Sequence, residues 1–293
     1  MPKKSAVLSG FKRPLLDFQA GPVRSRLGLE TKIMGILNVT PDSFSDGGRY
    51  LNPSLAERQA LKLQDEGAHF IDIGGESTRP GSKPVSSREE IRRIEPVLKR
   101  LSKKIKIPIS VDTYKYDVAA AALERGAVIV NDVTALSGDK RMAKLIARNG
   151  ASVVLMHMQK TPRNMQEHPQ YRSVVRDIKN YLRKAVQKAL DAGILKNRIA
   201  IDPGFGFGKT RQHNLELLCG LEEFSALGWP VLVGLSRKSF IGQLLGAPVE
   251  ERLGGSLGAA AVAIERGAHI LRVHDVAAHR QLAALVDHAQ GAA

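Results

Sequence analysis

Residues 108–131 read Pro-Ile-Ser-Val-Asp-Thr-Tyr-Lys-Tyr-Asp-Val-Ala-Ala-Ala-Ala-Leu-Glu-Arg-Gly-Ala-Val-Ile-Val-Asn. A short β-branched run ends at Asp112, a helical pattern occupies 115–125, and a second apolar run begins at Val128. Two neighbouring strands joined by a helix run parallel, because tight hairpins join only antiparallel pairs. The same unit recurs in both directions. Strands are expected at Lys32–Asn38, His69–Ile73, Pro108–Asp112, Val128–Asn131, Ser152–His157, Ile199–Asp202, Val231–Ser236 and His269–His274. Helical patterns lie near 53–66, 87–103, 115–125, 139–149, 170–192, 212–227, 250–266 and 275–289. Eight βα units in 293 residues point to a single closed (β/α)8 barrel of the TIM type.

The expected organisation is a basic N-terminal extension over 1–30 and one barrel domain over 31–293. The extension has the makings of a hairpin across Ala20-Gly21-Pro22. No run of 18 apolar residues suggests a membrane span, and Met1-Pro2-Lys3-Lys4 lacks the apolar core of a secretory signal. The single cysteine, Cys219, excludes an intramolecular disulfide and fits a reducing, cytoplasmic setting. Its place in a helical pattern suggests a buried small hydrophobe rather than a nucleophile.

Lys and Arg total 44 against 29 acids, a net charge of +15. Residues 1–32 hold seven bases and two acids, while the remaining excess is interleaved with acids along helices. Aromatic residues make up only 5%, too few for extensive base stacking, so an anionic small substrate explains the charge as well as nucleic acid does.

The expected strands are apolar until their last residues, where they turn polar. Asn38, Asp112, Asn131-Asp132, Asp202, Ser236-Arg237-Lys238 and Arg272-Val273-His274 all fall at strand C-termini, the face on which such barrels hold their active sites. Any one of them alone reads as a helix cap. Six in register at one rim make a site. Asp112, Asn131, Asp202 and Lys238 offer groups suited to the donor–acceptor edge of a pterin or purine. Arg272 and His274, two apart on one strand, share a face and with Asn38 converge on an anion and its Mg²⁺. Two long loops, 39–52 and 74–86, are rich in glycine and have the character of lids.

Other patterns are weaker. Gly204-Phe205-Gly206-Phe207-Gly208-Lys209-Thr210 misses the P-loop pattern because Pro203 stands where its first glycine belongs, and it reads as a flexible loop. His157 has no second His or Cys at ligand spacing and reads as a histidine of the pocket wall. No Ser/His/Asp or Cys/His nucleophile arrangement is evident.

Met34-Gly35-Ile36-Leu37-Asn38-Val39-Thr40-Pro41-Asp42-Ser43-Phe44-Ser45-Asp46-Gly47-Gly48 and Asp72-Ile73-Gly74-Gly75-Glu76-Ser77-Thr78-Arg79-Pro80-Gly81 resemble the two signatures of the dihydropteroate synthase family. Five shorter matches follow in family order, so the resemblance spans about 31–290. Gly258 stands where the family pattern leads one to expect alanine. The resemblance implies condensation of 6-hydroxymethyl-7,8-dihydropterin pyrophosphate with 4-aminobenzoate. It implies Asp112, Asn131, Met156, Asp202, Arg237 and Lys238 around the pterin, and Asn38, Thr78, Arg272 and His274 at the pyrophosphate, with Mg²⁺ on Asn38. Phe44, Thr78, Pro80 and Ser239 would shape the aminobenzoate slot. Asp112, Asp202, Lys238, Asp46 and Arg79 would carry catalysis. A homodimer through late outer helices is implied, and no nucleic-acid or membrane partner.

Two rivals stand beside this reading. A pterin-binding methyltransferase barrel would share the ring-binding positions but have no use for the Arg272/His274 anion mouth. A catalytically silent basic paralogue would be retained on heparin without turnover.

Overall fold

The structure, a computed structural model, describes residues 13–40, 52–77 and 81–291. Among the described residues ten strands are present: β1 (Leu16–Ala20), β2 (Val23–Leu27), β3 (Lys32–Asn38), β4 (Phe70–Gly74), β5 (Ile109–Asp112), β6 (Ile129–Asp132), β7 (Ser152–Met156), β8 (Ile199–Asp202), β9 (Leu232–Val233) and β10 (Ile270–Val273). The eight from β3 onward form one parallel sheet in the order β8-β7-β6-β5-β4-β3-β10-β9. A parallel bridge between Ile201 and Val231 joins its two ends and closes the barrel. The seventh barrel strand is two residues long rather than the expected Val231–Ser236, since chain 234–238 turns out toward the rim.

The outer helices are α1 (Pro53–Asp65), α2 (Ser87–Leu101), α3 (Tyr116–Glu124), α4 (Met142–Arg148), α5 (Val174–Asp191), α6 (Arg211–Cys219), α7 (Glu222–Ser225), α8 (Ser239–Leu245), α9 (Leu253–Glu265) and α10 (Val276–Ala289). Four helix-to-strand junctions use the same dipeptide: Gly67-Ala68, Gly126-Ala127, Gly150-Ala151 and Gly267-Ala268. Each glycine takes positive φ, and the following alanine N–H returns to a carbonyl of the last helical turn, as Ala68 does to Leu63 at 3.0 Å. The chain is thereby reversed and delivered into the next strand.

The expected single helix over 212–227 is two helices broken at Gly220, where a Cβ would lie 2.8 Å from Val175. The expected burial of Cys219 is also corrected. Helix α6 turns Asn214, Leu217 and Leu218 inward, and Cys219, the next residue round, is exposed.

Strands β1 and β2 pair antiparallel, Leu16 opposite Leu27. Their inward residues Phe18, Ala20 and Leu27 pack with Met34, Phe70, Ile129, Val154, Ala200, Leu232 and Ile270 into an apolar cluster inside the barrel. The hairpin therefore stoppers the N-terminal end of the barrel. A second anchor follows from Arg13, whose guanidinium donates to Asp287 Oδ1 at 2.5 Å, Thr31 Oγ1 at 2.6 Å and the Ala268 carbonyl at 3.0 Å. Thr31 donates to both Asp287 oxygens from its backbone and hydroxyl. These buried groups tie the leader and β3 to the last helix. Removing one member strands the others' charge in a dry site. Asp287→Ala is expected to cost about 3–5 kcal/mol of stability in reversible denaturant unfolding.

Candidate active site

The apolar floor fixes the register of what lies above it. Side chains on one face of a strand recur every second residue. Two residues beyond Phe70, Ile129, Val154, Ala200, Leu232 and Ile270 stand Asp72, Asn131, Met156, Asp202, Gly234 and Arg272. Asp112 occupies the same layer from β5, and Asn38 ends β3 one step higher. One turn of the register thus changes the barrel interior from hydrocarbon to polar. The same counting separates Asn131 from its neighbour Asp132. Asp132 faces outward and accepts from the Thr134 and Leu136 N–H groups, the capping role that a lone strand-end aspartate suggests.

A narrow cleft opens in this layer, lined by Asp112, Asn131, Val133, Met156, Asp202, Phe205, Phe207, Gly234, Lys238 and Arg272. Asp112, Asn131, Met156, Asp202 and Lys238, expected from the sequence to hold a ring, therefore converge. Arg272, expected at an adjacent anion mouth, lies inside the same cleft. Its Nε donates to Asp72 Oδ2 at 2.6 Å and its Nη2 to Asp112 Oδ2 at 2.7 Å. The two carboxylates outweigh burial and hold its pKa above the ordinary arginine value. Asp72, wholly buried, was not singled out by the sequence reading because β4 continues past it to Gly74.

Burial, together with the charge of Asp72, raises the Asp112 carboxyl above the usual range against the pull of Arg272. Asp202 is pushed up to about 6 by burial, against the Gly204 N–H that donates to it at 2.7 Å. Lys238 is lowered to about 8 by burial and by Arg272. Its ammonium lies 4.3 Å from the Phe207 ring centroid.

His274 sits at the rim, its Nδ1 3.1 Å from Ser236 Oγ, with a pKa lowered to about 4 by burial and by Arg272. Asn38 Oδ1 overlooks the space left by Gly74, beside Asp112. Ser239 is the first residue of α8 and is exposed. Arg237, expected to wall the ring, is absent from the cleft. Its backbone is left-handed at φ 58°, and its guanidinium turns to Asp275 in a two-pronged pair of 2.9 and 2.6 Å. Phe44, Asp46, Thr78, Arg79 and Pro80 lie outside the described residues. What precedes and follows 78–80 is well held: Lys115 Nζ contacts Glu76 at 2.8 Å, Glu90 at 2.7 Å and the Val85 carbonyl at 2.6 Å.

The glycine-rich segment after β8, expected to be flexible, is closely braced. Lys209 is buried, with Nζ 2.8 Å from the Gly204 carbonyl, 3.0 Å from that of Phe207 and 3.1 Å from His157 Nδ1. At Gly204 (φ 72°) a Cβ would fall 1.9 Å from the His157 carbonyl, so only glycine permits this approach. His157 lies behind the wall rather than on it, its pKa lowered to about 2 by burial and Lys209. Met165, in the loop after β7, packs with Val133, Met156, Met158, Tyr114 and Phe207 to complete the apolar side. Among the described residues no three His, Cys, Asp or Glu side chains cluster as a metal site.

A cleft lined by two carboxylates, an amide, a lysine and an arginine beside an apolar wall suits a flat, polar heterocycle. The family model described as pterin binding enzyme matches residues 34–274, which spans that whole layer. The chain belongs to the pterin binding enzyme family. Within it, the dihydropteroate synthase of Clostridium beijerinckii is 42% identical over 91% of this chain and 97% of its own length. The solved dihydropteroate synthase of Xanthomonas albilineans with 4-aminobenzoic acid superposes with a TM-score of 0.88, at 43% identity over 94% of this chain and 99% of that one. The Clostridium difficile enzyme, solved in the presence of pteroic acid, gives 0.85 at 44% identity over 89% and 97%.

Within this pterin binding fold, Asp202 is ionised above about pH 6 and Lys238 protonated below about pH 8. Affinity for a bare pterin, corrected for the ring's own titration, is expected to peak between those values and fall on both sides. Calorimetry across pH 5–9 checks it (a range chosen to bracket about 6 and about 8).

Proposed function

We infer that this barrel is the catalyst of dihydropteroate formation, in which the amine of 4-aminobenzoate displaces pyrophosphate from 6-hydroxymethyl-7,8-dihydropterin pyrophosphate. The observation that carries the residue assignment is a set of orphaned acceptors. Asp112 Oδ1 and Asn131 Oδ1, both on side chains that line the cleft, are buried without hydrogen-bond partners among the described residues. Such atoms are costly unless a ligand supplies donors. The amino and ring N–H groups of a pterin are donors of that kind, and Lys238 offers the complementary donor to ring acceptors.

In this reading Asp112, Asn131, Asp202 and Lys238 hold the ring edge, with Met156 and Phe207 against its faces. His274 at the rim meets the diphosphate, together with Arg272 from within the cleft. Departure of pyrophosphate leaves positive charge conjugated with the ring, which the nearby Asp112 and Asp202 carboxylates favour. No covalent nucleophile is needed. The slot for 4-aminobenzoate is assigned to Phe44, Thr78 and Pro80 with Ser239 at the carboxylate, and Asp46 and Arg79 are assigned a catalytic role.

Magnesium fits as a companion of the diphosphate rather than a resident of the protein. Asn38 offers one neutral oxygen, and Mg²⁺ commonly keeps its waters and takes substrate phosphates. When bound it would add positive charge to the leaving group. A homodimer is supported by the exposed apolar residues Leu244, Leu245, Val249 and Val262 on and around α8 and α9. A cytoplasmic location is supported by the single, unpaired cysteine. Among the described residues no helix is long and apolar enough to cross a membrane. The methyltransferase and silent-paralogue readings are not favoured, since the relatives matched over nearly the whole chain are dihydropteroate synthases.

Pyrophosphate release is expected to depend on 4-aminobenzoate and to fall in excess EDTA, recovering with added Mg²⁺. Release that ignores the aminobenzoate would overturn the reaction, and release that ignores EDTA would overturn the metal. Asp112→Asn and Asp202→Asn are each expected to lose about 1.5–3 kcal/mol of affinity for a pterin, the worth of a hydrogen bond to a charged group. Titration calorimetry of the folded variants provides the comparison.

A further inference from the structure

Asp72 reaches the cleft only through other residues. It is wholly buried in β4, and its Oδ2 accepts from Asn131 Nδ2 at 3.0 Å and from Arg272 Nε at 2.6 Å. An ionised carboxylate only accepts, so the Asn131 atom facing it must be the NH₂ group. The Asn131 oxygen is then forced the other way, where it stands buried with no partner among the described residues. An unconstrained asparagine amide presents either end at similar cost. Asp72 removes that choice. The same oxygen pins Arg272 at Nε, leaving its terminal nitrogens to Asp112 and the space above.

We propose that Asp72 is a positioning residue that sets the polarity of ring recognition: by holding Asn131 Nδ2 and Arg272 Nε it makes Asn131 an obligate acceptor, which selects a ring carrying an exocyclic amine over one carrying a carbonyl at that place. This rests on the reading of the cleft as a pterin well. With Asp72 in place, a carbonyl on the ligand would meet the Asn131 oxygen head-on. Without it, the Asn131 amide turns over and donates to that carbonyl instead. The cost of losing Asp72 therefore falls on selectivity and not only on affinity.

The test compares binding of pterin and of lumazine, its 2-oxo analogue, by calorimetry on the full chain. Wild-type protein should prefer pterin. In Asp72→Ala the preference should shrink by about tenfold or more, the scale of one hydrogen bond made or opposed. Asp72→Asn retains an acceptor oxygen for both partners and should largely restore it. In an Asn131→Ala background, Asp72→Ala should leave the ratio unchanged, because the group through which it acts is gone. Should Asp72→Ala not be recovered folded, Asp72→Ser removes the carboxylate with less loss of volume and should shrink the preference similarly. Equal weakening of both ligands in Asp72→Ala would mean a purely structural role and overturn the proposal. So would a ratio in Asp72→Asn as low as in Asp72→Ala, or fully additive effects of the two alanine substitutions. Wild-type protein that binds neither ring would instead sink the pterin-well reading itself.

Discussion

The active layer depends on one guanidinium. Asp72, Asp112 and Asp202 are buried within the same ring of strand residues, and like charges held out of water repel strongly. Arg272 lies between the first two, bonded to both, and Lys238 faces the third from the neighbouring turn. Arginine suits the place because it stays charged when buried and its forked donors serve two carboxylates at once. A lysine there would supply one point charge and would be prone to lose its proton, as the lowering of Lys238 shows. Burial, with the charge of Asp72 added to it, raises Asp112 against the pull of Arg272.

Such a layer needs a firm support. The floor gives it one by placing an apolar side chain beneath each of Asp72, Asn131, Asp202 and Arg272, with Phe18 and Leu27 of the hairpin sealing the end. Water that entered from below would screen the charges above and loosen their geometry. The leader therefore belongs to the active layer's foundation although it carries none of the chemistry. Its anchor through Arg13, Thr31 and Asp287 accounts for one of the bases that make the leader strongly basic.

The barrel was legible because short apolar, β-branched runs and helical runs alternate eight times, and because strand ends turn polar together. The criterion of the last polar residue found Asn38, Asp112, Asn131 and Asp202. It missed Asp72, which stands two residues short of the end of its strand, and it could not separate Asn131 from Asp132. Counting by twos from the apolar floor would have done both. The pairing of Arg237 with Asp275 was illegible for a different reason: it goes with a left-handed backbone, and nothing in Ser-Arg-Lys-Ser announces that φ. The bracing of the segment after β8 was illegible because it depends on a lysine buried among carbonyls more than local sequence can reveal.

Lys209 shows why that bracing matters. Its ammonium satisfies two carbonyls of its own loop and reaches His157 on the neighbouring strand, so the loop carrying Phe205 and Phe207 is locked to the end of β7. Burial without a directly paired carboxylate lowers its pKa well below that of a free lysine. A cation is tolerated there because its donors are used and Asp202 lies close enough to favour the charge. Asp202 gains in return, since Lys209 counts among the charges that oppose the effect of burial on it. The aromatic wall and the carboxylate beneath it are thus held by the same buried charge, on the side of the cleft opposite Arg272's carboxylate pair. A flat ring entering between them meets two surfaces whose positions were fixed before it arrived, and its binding energy need not be spent on ordering them.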